Sequence, residues 1–499
     1  MRQIVVVAPD EPITGIGVLA VGAFLGEREP VIGRGGELVS AAIGIDAAAL
    51  LAASDGFTGE EGQLVRLMIL VDGGVRTTLM GVGLGSEAAF TPDIVRAAAM
   101  RVAVAAHGTA VTSTLALEGD DASASIRAVV EGIGLGDYRY RRSASHTVPE
   151  TAELRLYVAE TVVPDAVAVA IRLGEVAADS ANWVRQLVET PGGSLGPAEF
   201  AAAIVARVNE LAPDALEASV WSADELVERG FGATLAVGAG SARKPCVVEL
   251  RSRGGGNPIA LAGKGITFDA GGINIKQDGS ELAWMKSDMA GAAAVAAAVI
   301  AAASLGSETP VHVILPIAEN MPGGNALRPG DVVIHPNGRS TEVTDTDCEG
   351  RLVLADAIAW LAATNPRAII DVGTLTDSGA VGTALWGCWT NTPALGSELV
   401  DAGLSAGDPG WVLPLVASYR SLIESPVADS CNAASDAPDS GQLAATFLEP
   451  FAAGVPWLHL DNGSGAYLER DAAEWPKGAT GSPTRALIDY LCGVSVIPD

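Results

Sequence analysis

"LAGKGITFDAGGINIKQDGSELAWMKSDMAGAAA", residues 261–294, passes from a continuous apolar run into a polar loop and then into alanine. The apolar run reads as a strand buried on both faces, the alanine stretch as a helix, and that succession belongs to an α/β layer fold. The strand runs into Lys264, Asp269 follows, and Gly271 and Gly272 permit a tight turn. Lys276 comes next, and Asp288 opens the alanine helix. Two readings stay open. Asp288 can serve as a helix cap and Lys276 as a surface lysine, or the lysine and two aspartates at a strand end form a metal pocket.

A second stretch bears on that choice. "DTDCEGRL", residues 345–352, sets Asp345, Asp347, Glu349 and Arg351 just ahead of "LVLADAIAWLAA", which reads as a helix. Acids ahead of a helix complement its positive end, and charge clusters are commonly solvated faces. Carboxylates this dense also suit neutralisation of cations.

Outward from these segments the α/β pattern holds. The first ~155 residues alternate strand-like runs ("QIVVVA", "GVLAVGAF", "LVRLMILVD", "LRLYVA") with helical ones ("PDIVRAAAMRVAVAAHG", "ASIRAVVEGI"). The basic patch "YRYRRSASHTVPE" breaks the alternation, and a long helix is predicted from Pro164 to about Leu187. Beyond it, "CVVEL", "PIALAG", "VHVILPIA", "RAIIDVG" and "WLHLD" are unalternating apolar strands. The expected fold class is α/β in two domains. Residues 1–160 form a smaller α/β domain, and 165–499 a larger domain with a mixed, mainly parallel sheet covered by helices.

Charge and composition restrict the function. A net charge of −29 repels phosphate backbones and anionic membranes, so nucleic acid and membrane are not expected partners and divalent cations are. Five scattered cysteines without a C-x-x-C fit a reduced cytoplasm. The N-terminus lacks the apolar run of a signal peptide. The uncharged stretch at 289–307 is mostly alanine, which gives little transfer energy, so it is expected inside the fold and not across a membrane. "GGSLG" at 192–196 matches G-x-S-x-G but lies between two helices instead of between strand and helix, and no H-E-x-x-H is present.

Taken together, residues 261–294 and "DTDCEGRL" resemble the leucyl (cytosol) aminopeptidase family of di-metal exopeptidases. The family octet reads N-T-D-A-E-G-R-L, and six of its eight positions match here. "PIAENMPGGNALRPGDVV" (316–333), "VGTLT" (372–376), "ADSCN" (428–432), "HLD" (459–461) and "KGATGSPT" (477–484) extend the likeness over roughly residues 165–495. The resemblance implies two metal sites: Asp269, Asp347 and Glu349 at one, and Lys264, Asp269, Asp288 and Glu349 at the other. Lys264 would then ligate as the neutral amine. Such ligands accept Mn²⁺ or Zn²⁺, and also Mg²⁺ or Co²⁺.

By the same resemblance, Lys276 stabilises the developing oxyanion, and Arg351 holds bicarbonate as a proton shuttle. Met285, Thr374, Leu375 and Asp377 correspond to positions around the pocket for the first substrate side chain. The implied function is removal of N-terminal residues, leucine-type and broad, from short peptides by a cytoplasmic homohexamer. A nucleic-acid-binding or regulatory protein with a secondary or lost peptidase activity is the alternative. Three departures stand out: Asp345 and Cys348 replace Asn and Ala of the octet, the loop between Lys276 and Asp288 is one residue longer, and Asp377 and Ser378 are inserted after T-L-T.

Overall fold

Val18–Phe24 sends alternate side chains into two different cores, as the period of a strand requires. Val18, Ala20 and Phe24 pack with Val95, Val102, Ile126 and Val129, whereas Leu19, Val21 and Ala23 pack with Val39, Ile43 and Leu51. The strand is therefore covered on both faces, by Pro92–Ala106 and Ala122–Asp137 on one and by Gly36–Ile43 and Ala47–Ala52 on the other. Across this sheet the order is Ile4–Val7, Leu154–Tyr157, Val111–Ser113, Val18–Phe24, Val75–Gly83, Leu64–Val71, with Val31–Ile32 attached to Val18–Phe24. The pairings are parallel except those of Leu64–Val71 and Val31–Ile32.

The computed structural model describes residues 2–13, 17–71, 75–140, 152–434, 439–473 and 475–493. Most of the basic patch at 138–150 lies outside them. The chain forms two compact units, Met1–Asn182 with Asp471–Pro476, and Trp183–Arg470 with Lys477–Asp499. The division falls inside the helix Pro164–Glu189, where the sequence pattern places it ahead of that helix.

The second unit is built on a nine-stranded mixed sheet. Its order is Gly410–Val412, Trp386–Thr390, Trp457–Asp461, Ala368–Gly373, Ile259–Gly263, Val311–Asn320, Cys246–Ser252, Leu216–Trp221. The central pairings are parallel, and Gly265–Asp269 continues beside Val311–Asn320. Ala260, Ala262 and Ile266 face the core shared with Leu352, Val353 and Leu354 of the helix Glu349–Ala362. On the opposite face the alanine helix Ala290–Ser304 comes so close that a Cβ on Gly263 would lie 2.5 Å from Ala292 Cα. The run Met285–Ser304 is apolar enough to cross a membrane, but 89% of its most apolar stretch is buried inside the protein. Small side chains serve close packing here.

One irregularity positions the site. Lys264 and Asp269 are an odd number of residues apart, so in an unbroken strand they would point to opposite faces of the sheet. Between Ile266 and Phe268 the strand takes two steps while its partner takes one, from Ala318 to Glu319. This bulge inserts a residue into the alternation and returns Asp269 to the face that Lys264 shares with Ala262 and Ile266.

Candidate metal centre

Lys264 sits at the break between Ile259–Gly263 and Gly265–Asp269, anchored by hydrogen bonds from its N–H to Val372 O and from Ala292 N–H to its carbonyl, both 2.9 Å. Its ammonium donates to Asp288 Oδ1 (2.7 Å) and Thr374 O (2.8 Å) and lies 2.9 Å from Glu349 Oε1. Asp288 closes the 3-10 turn Met285–Ser287, ahead of the alanine helix. Glu349 opens the helix Glu349–Ala362. Gly350 next to it is required: a Cβ there would lie 2.4 Å from Lys264 Cε.

Lys276 occupies the other side of the cluster, 2.9 Å from Asp269 Oδ2 and 2.8 Å from Asp347 Oδ1. Asp269, Asp347 and Glu349 offer oxygens that lie within 4.8 Å of one another. Gly271, at φ +85°, turns the chain between them, where a Cβ would lie 2.4 Å from Asn274 O and 2.9 Å from Asp347 Oδ1.

Four carboxylates thus face two ammonium groups, and negative charge is in excess. Burial, then the charge of Asp269, pushes the Asp347 carboxyl up to about 7. Burial and the charges of Glu349 and Asp269 hold Asp288 well above the ordinary carboxylate range, against the pull of Lys264. Burial and Asp269 likewise raise Glu349. Burial alone would lower the Lys264 pKa, but Asp288, Glu349 and Asp269 outweigh it and raise the value. That shift belongs to the metal-free cluster. The neutral lysine implied by the resemblance requires added cations.

Three buried oxygens complete the picture. Asp288 Oδ2, Asp347 Oδ1 and Glu349 Oε1 have no hydrogen-bond partner. The last two lie within ion-pair distance of Lys276 and Lys264, without a well-directed hydrogen bond. Buried acceptors left open in this way are costly in an apolar interior and are commonly completed by an ion or water.

Several positioning residues carry no signal in the local residue pattern. Asn320 Nδ2 donates to Asp269 Oδ1 (2.8 Å) and to Thr346 O (2.9 Å), and Thr346 Oγ1 donates to Gly271 O (2.7 Å), tying the two acidic segments together. Thr374 Oγ1 donates to Asp288 Oδ1 (2.7 Å). Asp461 accepts from Leu375 N–H (3.3 Å) and from the Thr376 hydroxyl, fixing the carbonyl that Lys264 uses. Asn432 receives Thr344 N–H and donates to Asp345 O and Cys348 O. All stand in or beside the stretches that carry the resemblance, but only the fold shows what each one touches.

The remaining candidates are placed as follows. Arg351 is buried and donates to Asn432 O at 2.9 Å. Leu375 packs where Gly350 meets the Lys264 stem. Met285 is buried in the turn before Asp288. Asp377 is exposed, whereas the neighbouring Ser378 is buried and its hydroxyl accepts Ser464 N–H at 3.1 Å. Asp345 Oδ1 accepts Asp347 N–H at 2.9 Å, a bond that an asparagine oxygen makes equally well.

The sequence as a whole matches a known family. The model described as the cytosol aminopeptidase family, catalytic domain, covers residues 182–488, and that of the family's N-terminal domain covers 20–147. The chain belongs to the cytosol aminopeptidase family. It is a peptidase, a hydrolase of peptide bonds. A probable cytosol aminopeptidase of Streptomyces griseus is 37% identical over 496 residues, 94% of each chain. One from Aquifex aeolicus is 34% identical over 452 residues, covering 88% of this chain and 89% of that one. Among solved structures, the bottromycin maturation enzyme BotP in complex with Mn superposes with a TM-score of 0.82 at 36% identity, over 96% of this chain and 100% of that one. The family is metal-dependent and acts on peptides, and the acidic cluster is present here.

Proposed function

We propose that this chain is a broad, leucine-type aminopeptidase that removes N-terminal residues from short peptides with two divalent metal ions at the carboxylate cluster. The observation that carries the reading is the convergence of three buried carboxylates and the half-buried Asp347 upon two lysines, with Asp288 Oδ2 left without a partner. The donor set fits two divalent cations: their four charges balance Asp269, Asp288, Asp347 and Glu349 once Lys264 is neutral. Asp269, Asp347 and Glu349 would hold one, and Lys264, Asp269, Asp288 and Glu349 the other. Oxygen donors with one amine accept Mn²⁺, Zn²⁺, Mg²⁺ or Co²⁺.

Bound there, the metals supply Lewis-acid polarisation and an acidified water. The protein supplies the rest. Lys276 aims an ammonium into the cluster and donates to the carbonyl oxygen as negative charge develops there. Asn320, Thr346 and Thr374 hold the carboxylates at fixed angles, the kind of outer support on which metal sites depend. Asp461 holds the 374–376 backbone beside Lys264, and Leu375 with Met285 contributes apolar surface for the first side chain. Arg351 offers a fixed positive charge next to the cluster, suited to holding bicarbonate as a proton shuttle.

A cytoplasmic homohexamer is part of this reading, with the N-terminal unit serving assembly or regulation. The net charge of −29 weighs against the nucleic-acid alternative. The test is hydrolysis of leucyl amides by chelator-stripped protein before and after Mn²⁺ or Zn²⁺ is returned. Full activity in protein shown by elemental analysis to be metal-free overturns the proposal, and sedimentation reads the assembly.

A further inference from the structure

The N-terminal unit holds a cavity of about 380 Å³ that peptide hydrolysis does not use. Its place follows from the sheet order. The chain leaving Val18–Phe24 runs to one side, through Gly36–Ile43 to Leu64–Val71 and Val75–Gly83. The chain leaving Val111–Ser113 runs to the other side, through Ala122–Asp137 to Leu154–Tyr157. These two strands are parallel neighbours, and their helices cover opposite faces. Beyond the carboxyl ends of such a pair an α/β sheet leaves a crevice, the usual place for a ligand. The cavity lies there, lined by Phe24 at the end of the first strand, Ile32 and Gly33 beyond it, and Glu118, Asp121 and Ser125 after the second. Its volume falls within the ordinary range of about 300–1,000 Å³ for small-molecule sites.

Glu118 gives the crevice its chemistry. It is 1% exposed, with the backbone N–H groups of Arg34 and Gly35 on the side that favours its charged form. Its Oε1 nevertheless has no hydrogen-bond partner. Gly33 forms the cover over that oxygen, since a Cβ there would lie 2.2 Å away. Glu118 itself lines the cavity beside that glycine. The nearby cation, Arg34, is already engaged by Asp120 Oδ1 and the carbonyls of Leu117 and Gly119. Asp121 caps its helix by accepting Ala124 N–H. A metal ion would need several free oxygens, whereas Asp120 and Asp121 are engaged by Arg34 and by the helix cap, and Phe24, Ile32, Phe90 and Pro92 give the crevice one apolar side.

We propose that this crevice binds a small primary amine with an apolar body, its ammonium on Glu118 and its hydrocarbon against Phe24, Ile32 and Phe90. Two sources share that chemistry: a free apolar amino acid, which an aminopeptidase releases, and a simple alkylamine.

Calorimetric titration of the full-length, metal-loaded chain with leucine and with isoamylamine tests the site. Saturable binding of either, weakened about tenfold or more by Glu118→Gln with leucyl-amide kcat/KM unchanged, supports it. Leucine and isoamylamine affected alike identify the amino acid as the source, and isoamylamine alone identifies the alkylamine. Without any variant, affinity should rise with pH through about 7, because burial pushes Glu118 there and only its ionised form attracts an ammonium. Arg34, Glu87, Asp120 and Asp121 are the other charged groups lining the cavity around it. No saturable binding, which leaves water as the occupant, or affinity indifferent to pH or to Glu118→Gln, overturns the proposal.

Discussion

Each unit buries acid beyond the carboxyl ends of parallel strands, and the two solve the same electrostatic problem differently. In the second unit four carboxylates crowd one space, two lysines enter it, and Asp288, Asp347 and Glu349 are still pushed upward. In the N-terminal unit Glu118 is pushed up by its burial, with Arg34 and two backbone N–H groups acting the other way. Carboxylates in mutual repulsion call for multivalent cations. A single buried carboxylate beside an apolar wall calls for one positive charge on an organic body. Placement in the fold is shared, and the number of charges separates the chemistries.

The largest effect should come from breaking the first set. Glu349→Gln removes a donor that faces both Lys264 and the Asp269–Asp347 side. It is expected to lower kcat/KM by more than the 10–100-fold typical even of outer-shell losses, with metal content reduced in elemental analysis. Lys276→Ala should lower kcat by about 10²–10³, as loss of an oxyanion donor does, while metal content stays at the wild-type level. Unchanged kcat would remove Lys276 from the chemistry. Gly350→Ala forces a methyl group against Lys264 and should destabilise the protein by about 1–3 kcal/mol in chemical denaturation, with activity falling alongside.

The second set predicts a smaller, pH-dependent effect. Glu118 has a folded pKa raised from 4.5 to about 7. A raised value means that the stability it contributes is fully present below the unfolded pKa and is lost as pH rises through about 7. Glu118→Gln should therefore gain melting temperature relative to wild type as pH rises across that window. A pH-independent difference would show that Glu118 does not titrate there. Least of all is expected from Asp377→Ala. The side chain is exposed, exposed ion pairs contribute about 0–1 kcal/mol, and the ratio of arginyl- to leucyl-amide kcat/KM should stay put.

Much of this contrast is legible in the sequence, and the illegible part has a physical cause. The unalternating strands, the helix from Pro164 and the two acidic segments read directly, because burial on both faces writes itself as continuous apolar runs. The residue types at 264, 269, 288, 347 and 349 came through a family likeness, since local pattern left caps and surface charges as equal readings. Asn320, Thr346 and Asp461 did not read, because an amide, a hydroxyl or one more aspartate acquires its role only from a partner far along the chain. Glu118 is similar. Nothing in "ALEGDDASAS" separates a buried acid from the exposed acids that follow it.

The bulge between Ile266 and Phe268 also sets how the site can be lost. Point substitutions remove one ligand at a time, and each loss is visible in the residues that remain. Inserting one residue between Lys264 and Asp269, with the bulge unchanged, would leave every lysine and carboxylate in the sequence while shifting the alternation by one step, so that Asp269 turned to the opposite face of the sheet. A gapped alignment would still score that chain as complete, although its acids no longer meet. In this chain, the count of residues between Lys264 and Asp269 carries as much information as their identities.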